Sequence, residues 1–238
     1  MAALSRREFF TIVSAGGISI AATRMASGGS RPGRATAAQT SSTGDQALAR
    51  MLDGNKRFAS GEASAPRREP KHFRTLVAAQ HPYTVVIACS DSRVVPEILF
   101  DAGLGDIFAV SVAGNVVDSA GVVVTGSIEY AIAELNVPLV MVLGHSDCGA
   151  VKSAMKKIEA KEALPGDIDG LVDLIEPAVL ISKGRAGDPL DNAIRENVVI
   201  GVQRLKTLDP IIAPAVKAGK VKVVGGVYDL ATGKVALI

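Results

Sequence analysis

Tryptophan is absent from this chain, and aromatic residues together make up only 4% of it. The core must therefore be built from Val, Ile, Leu and Ala, which favours parallel strands covered by helices. No uninterrupted apolar run reaches the length of a membrane-crossing helix, so a conventional transmembrane span is excluded. An excess of basic charge is also lacking over the body of the chain. The net charge of +2 originates in the first 37 residues, where Arg6, Arg7, Arg24, Arg31 and Arg34 face the single acid Glu8; removing that +4 leaves about −2. With no basic face and no reading motif, nucleic acid is not a partner. Gly103 to Asp106, G-L-G-D, is too short for a dinucleotide fingerprint. The chain has two cysteines, Cys89 and Cys148. They are too few for a disulfide scaffold.

The 238 residues, 48% hydrophobic and 21% charged, suit a globular protein with a well-buried core. The opening S-R-R-E-F-F at Ser5 to Phe10, followed by the modestly apolar Thr11 to Ala22, resembles a twin-arginine export signal. Ala35 to Ala37 supplies small residues for cleavage. Residues 1–37 are thus read as an export signal and flexible segment, and 38–238 as a single domain. The expected location is periplasmic or otherwise exported, and cytoplasmic if that signal reading fails.

The fold class is α/β: a mostly parallel sheet of four core strands plus an antiparallel edge strand, flanked by helices, with an N-terminal helical arm. Leu48, Met51, Leu52 and Phe58 mark the arm helix, with Asp45 as its cap and Gly54 weakening its middle. Such an arm has little core of its own and is expected to pack across a partner subunit. Thr84 to Ala88, Asp106 to Val112, the run opened by Pro138 and Val221 to Tyr228 are the core strands. Val235 to Ile238 returns antiparallel after Ala231-Thr232-Gly233. Helices are expected over Gly121 to Leu135, Ala150 to Ala163, Leu171 to Lys183 and Leu190 to Leu208. The last carries an apolar stripe of Leu190, Ile194, Val198, Val202 and Leu205. Lys152, Lys156, Lys157 and Lys161 read as a solvated helix face.

Chemistry concentrates in I-A-C-S-D-S-R at Ile87 to Arg93 and G-H-S-D-C-G at Gly144 to Gly149. Cys89, His145 and Cys148 form a ligand set that suits zinc and leaves one tetrahedral position open. Each motif follows a β-rich apolar run, so neighbouring parallel strands would bring both to one carboxyl edge. Asp91 can accept a proton from metal-bound water while Arg93 pairs with it. The spacing equally allows a closed structural clamp in which Asp91 is the fourth ligand; Asp147 is a weaker candidate. Two thiolates neutralise Zn²⁺, so activity at an open site is expected to rise toward alkaline pH.

With these motifs in view, residues 46–228 resemble a β-class carbonic anhydrase. The resemblance rests on C-S-D-S-R at Cys89, A-G-N at Ala113, G-S-I-E-Y-A at Gly126 and G-H-S-D-C-G-A at Gly144. It implies one Zn²⁺ per chain on Cys89, His145 and Cys148, an Asp91–Arg93 water-orienting dyad, and reversible hydration of carbon dioxide to bicarbonate and a proton by zinc-bound hydroxide. It further implies a substrate pocket of Gln80, Phe108, Ala113, Tyr130 and Gly149, shared across a homodimer or tetramer. The chain departs from the family where Ser111 replaces a frequent arginine, and Val86 stands where the bicarbonate-regulated subgroup has tryptophan. Ala88 before Cys89 resembles the open-site subgroup, so no bicarbonate switch is expected. His72 and His81 are the candidates for a proton shuttle. The alternatives are a carbon disulfide or carbonyl sulfide hydrolase on the same scaffold, and a zinc-stabilised interaction protein.

Overall fold

The computed structural model describes residues 42–117 and 122–238. The export-signal reading lies outside these residues. Among them, α1 (Gly44–Ser60), α2 (Phe73–Leu76), β1 (Thr84–Ala88), α3 (Pro96–Leu99), β2 (Ile107–Ser111), α4 (Val122–Ala133) and β3 (Leu139–His145) form the first half. The rest comprises α5 (Gly149–Ala160), α6 (Ile168–Asp173), α7 (Glu176–Ser182), α8 (Pro189–Thr207), α9 (Ile212–Lys217), β4 (Lys222–Tyr228) and β5 (Val235–Leu237). The strands form one sheet in the order β2-β1-β3-β4-β5. All neighbouring pairs are parallel except β4 and β5. The α/β architecture expected from the sequence is thus observed.

Both sheet faces are covered, which explains why the central strands read as apolar runs without a polar side. Alternate residues of each strand point to opposite faces. Val85, Ile87, Val140 and Val142 pack with Ile128 of α4 and Val198, Val202 and Leu205 of α8. On the other face, Val86, Ala88, Leu139, Met141 and Leu143 pack with Ala47 and Met51 of α1 and Leu99 of α3. The expected arm therefore has a core within its own chain. Its glycine is a packing device rather than a weak point, because a methyl on Gly54 would collide with the backbone carbonyl of Phe100.

The cap of α1 is Thr43 rather than Asp45. Its hydroxyl accepts from Gln46 N–H at 3.2 Å while the Gln46 side chain accepts from Thr43 N–H at 2.8 Å. This reciprocal box satisfies two donors that a helix start otherwise leaves open. The single helix expected over Leu171 to Lys183 is two, with Pro177 in the first turn of α7. Proline lacks the N–H that would continue the preceding helix. The lysine face of α5 also differs in one position. Lys157 is only 14% exposed and pairs with Asp169 and Asp173, tying α5 to α6.

Close approach of α8 to β3 and β4 sets the depth of the site. A methyl on Gly144 would lie 2.7 Å from Val198 Cγ2, and one on Gly225 would lie 2.8 Å from Val198 Cγ1. Only glycine lets the helix seat this deeply.

Candidate metal centre

The two motifs meet because β1 and β3 are neighbours running in one direction, with Ala88 opposite Leu143. Cys89 leaves the end of β1 and His145 is the last residue of β3, so both stand at the carboxyl edge of the sheet. Cys148 follows one turn later as the N-cap of α5. The ligand atoms of Cys89, His145 and Cys148 all lie within 4.8 Å of one another, and all three residues are buried. Val116, Val151, Val172, Ile175, Ala193 and Ile194 close an apolar shell around the cysteines.

The donor set fits zinc on an observation independent of sequence spacing. His145 Nδ1 lies 2.9 Å from the carbonyl of Ser146, which can only accept, so Nδ1 carries the proton. Nε2 is then a bare lone pair, buried and without a hydrogen-bond partner among the described residues. That is the tautomer a metal-ligating histidine takes when a carbonyl orients its other nitrogen. The thiols are strongly linked. A hydrogen bond from Cys148 holds Cys89 well below the usual thiol value, helped by His145 and the Gly114 N–H against the opposing effect of burial. The same bond to Cys89, together with burial, pushes Cys148 up, while the N–H groups of Ala150 and Val151 at the start of α5 act against it. Burial opposes charge on His145, yet its interactions with Cys89 outweigh that and raise its pKa. Two sulfurs and an imidazole nitrogen around one point make a donor set suited to a soft or borderline dication.

Asp91 stands at its rim. Arg93 Nε donates to Asp91 Oδ1 at 2.9 Å, Arg93 Nη2 to Oδ2 at 2.7 Å, and the Arg93 N–H to Oδ1 at 3.0 Å. This bidentate grip, outweighing burial, holds the Asp91 carboxyl well below the usual carboxylate range. Asp91 Oδ2 lies 4.0 Å from His145 Nε2. The carboxylate thus borders the ligand cluster while both its oxygens are engaged by arginine. Asp147 is 57% exposed and pairs with Lys152.

The remaining expected residues divide by location. Phe108 and Tyr130 come together, with ring centroids 6.3 Å apart, although Tyr130 is 49% exposed. Ala113 is half-buried in the short turn after β2, and Gly149 is exposed at the first position of α5. Gln80 is exposed ahead of β1. His72 is half-buried on the segment before β1 and His81 is exposed there. Ser111 ends β2 and is exposed. Sequence reasoning missed Ser146, whose carbonyl fixes the His145 tautomer, because backbone acceptors carry no residue signature. It also missed Asn197, which donates to the Gly114 carbonyl at 2.8 Å. Its signal was one amide on the otherwise apolar face of α8.

Comparisons with known proteins agree with this geometry. The family model described as carbonic anhydrase matches residues 84–235. Carbonic anhydrase from Mycolicibacterium smegmatis is 40% identical over 187 residues, covering 79% of this chain and 89% of the relative. Carbonic anhydrase 2 from Mycobacterium tuberculosis is 39% identical over the same 79% and 89% shares. Among solved structures, the β-carbonic anhydrase CcaA is 30% identical with a TM-score of 0.63, over 80% of this chain and 86% of that one. A tetrameric β-carbonic anhydrase from Sordaria macrospora shares the fold at 24% identity and a TM-score of 0.64, over 80% of this chain and 96% of that one.

Proposed function

The chain belongs to the β class of the carbonic anhydrase family, and on that premise we propose how its residues carry out the reversible hydration of carbon dioxide to bicarbonate and a proton. The observation that carries the reading is the convergence of Cys89, Cys148 and the unpartnered Nε2 of His145 on one buried point. Cys89, His145 and Cys148 would hold one Zn²⁺ per chain, which would supply the Lewis acidity that makes water a nucleophile.

The chain's own groups do the placing. Arg93 spreads Asp91 across its guanidinium, which keeps the carboxylate ionised and stops it from turning inward as a ligand. Asp91 Oδ2 accepts a hydrogen bond from the attacking water and aims its lone pair at the carbon of carbon dioxide. Ser146, through its carbonyl, holds the His145 ring in position. Phe108, Ala113 and Tyr130 offer apolar walls to a substrate without a dipole, and the Gly149 backbone borders the site. Gln80 is supplied across a subunit interface. The proton that hydration releases passes to buffer or through His72 or His81. Two thiolates donate more charge than imidazoles, so turnover rises toward alkaline pH.

The assembly is a homodimer or tetramer. Support comes from Val122, Val123 and Tyr130 on α4, which are exposed among the described residues. The protein is exported by a twin-arginine pathway, a reading supported by Arg6 and Arg7 ahead of a weakly apolar run. Replacing both by lysine should retain the protein in the cytoplasm, and continued export would end that reading. Stopped-flow hydration of carbon dioxide, run beside hydrolysis of carbonyl sulfide and carbon disulfide, tests the substrate. Carbon dioxide should be turned over fastest; preference for a sulfur analogue would reassign the activity on the same site.

A further inference from the structure

We propose that Asn197, on α8, is a positioning residue of the metal centre and acts on the Cys89 sulfur through the backbone of Gly114. Cys89 Sγ accepts the Gly114 N–H at 3.2 Å. The carbonyl of the same glycine accepts from Asn197 Nδ2 at 2.8 Å in a buried bond. Three residues thus connect the middle of a helix to a ligand sulfur through two hydrogen bonds.

The turn at Gly114 needs such a tie. Gly114 has φ +72, and a methyl there would lie 2.6 Å from Ile175 Cδ1 and 3.1 Å from Ala150 Cβ. Glycine is therefore required on both conformational and steric grounds. A residue without a side chain also has nothing of its own to fix its dihedral angles. The Val112 N–H bond to the Ala88 carbonyl at 3.1 Å anchors the turn only on its β1 side. Asn197 anchors it on the other by holding the peptide plane that follows Gly114, which limits the rotation left at the residue whose N–H meets the sulfur.

Asn197 is 5% exposed and lies among Ala193, Ile194, Val198 and Gly201 on the buried face of α8. An amide in that place is costly unless bonded, and this bond satisfies its donor. Its partner is the turn that addresses Cys89. Hydrogen bonds to a ligand sulfur orient its lone pair and draw off part of its charge, which tunes both metal retention and spectrum.

The inference rests on the reading that Cys89, His145 and Cys148 hold zinc. It is tested on the zinc-loaded full chain and its cobalt-substituted form, comparing wild type, Asn197→Leu and, as an equally buried control on the same helix, Leu205→Ala. Asn197→Leu should release zinc to a chromophoric chelator about 10- to 100-fold faster. It should also move the sulfur-to-cobalt charge-transfer band to lower energy, because a thiolate without its N–H donor is easier to oxidise. Leu205→Ala should leave the band in place. Wild-type release and an unshifted band in Asn197→Leu would overturn the proposal. Wild type alone tests it if that variant does not fold. In the cadmium-113 form, coupling between the metal and the Gly114 amide proton and slow exchange of the Asn197 side-chain amide are expected, and absence of either overturns it. Failure of wild type to bind one zinc per chain would instead refute the metal assignment itself.

Discussion

Replacing Gly144 by alanine tests whether the seat of α8 on the sheet determines the metal centre. The added methyl would lie 2.7 Å from Val198 Cγ2 and 3.4 Å from Ile194 Cγ2, whereas carbon atoms pack at about 3.5–4.0 Å. A displacement on the order of 1 Å is needed at the closer contact. Val198 cannot turn aside, since a β-branched residue in a helix has one strongly preferred rotamer. Its other methyl faces the backbone at Gly225. The helix must lift or the strand must bow, at about 1–3 kcal/mol. His145 is the next residue and fully buried, so zinc should also leave faster. Val198→Ala by itself removes two methyl groups, about 1.6 kcal/mol before any cavity cost. In the double variant, the new methyl enters the vacated space, and the combined loss should fall short of the sum by about 1 kcal/mol or more. Urea denaturation of the four zinc-loaded proteins at fixed protein and zinc concentration measures this coupling. Additivity within about 0.5 kcal/mol would refute the packing argument.

Three further outcomes follow from the site and its supports. Cys148→Ser should lower zinc content and turnover together, and full zinc with unchanged turnover would remove Cys148 from the ligand set. Asp91→Asn should cut turnover about 100-fold or more while sparing zinc content, in keeping with the usual contribution of a group that positions a proton; normal turnover across pH would end the role of the dyad. Asp101 is buried, and its carboxylate accepts from Arg57 Nε at 2.7 Å, Ser64 N–H at 3.0 Å, Ser64 Oγ at 2.8 Å and Ala65 N–H at 2.7 Å. Burial favours the neutral acid, but these donors outweigh it and hold the Asp101 pKa below the ordinary carboxylate value. A depressed folded pKa gives stability that is present above the unfolded value and lost as pH falls through the folded one. Asp101→Asn should therefore cost about 2–3 kcal/mol at neutral pH, with the gap to wild type narrowing in acid. A pH-independent gap in thermal unfolding would contradict this.

How much of this was legible in the sequence depends on the range of the forces involved. The strand Thr84 to Ala88 was readable to the residue, because a β-rich apolar run ending in a polar motif is a local signal. The convergence of Cys89, His145 and Cys148 was readable one step less directly, since parallel neighbours place both motifs at one edge. The intrachain seat of α1 was not readable. It depends on Gly54 meeting the Phe100 carbonyl, a contact across the fold that looks in sequence like a weak helix. Either Thr43 or Asp45 can cap, and only the Gln46 side chain reaching back to Thr43 decides between them. Pro177 did mark the break between α6 and α7, yet the apolar residues on both sides sustained one helical pattern across it. Asn197 sits on a stripe otherwise defined by burial, and its purpose is visible only once Gly114 lies beside it.

Titration of zinc into metal-free protein, with carbon dioxide hydration followed by stopped flow at each addition and bound metal determined on the same samples, tests the central claim most directly. Hydration should grow in proportion to bound zinc and level off at one zinc per chain, with the plateau rising toward alkaline pH. A chain that carries one zinc at the three donors and does not hydrate carbon dioxide at any pH, or one that hydrates it equally without zinc, would contradict the account.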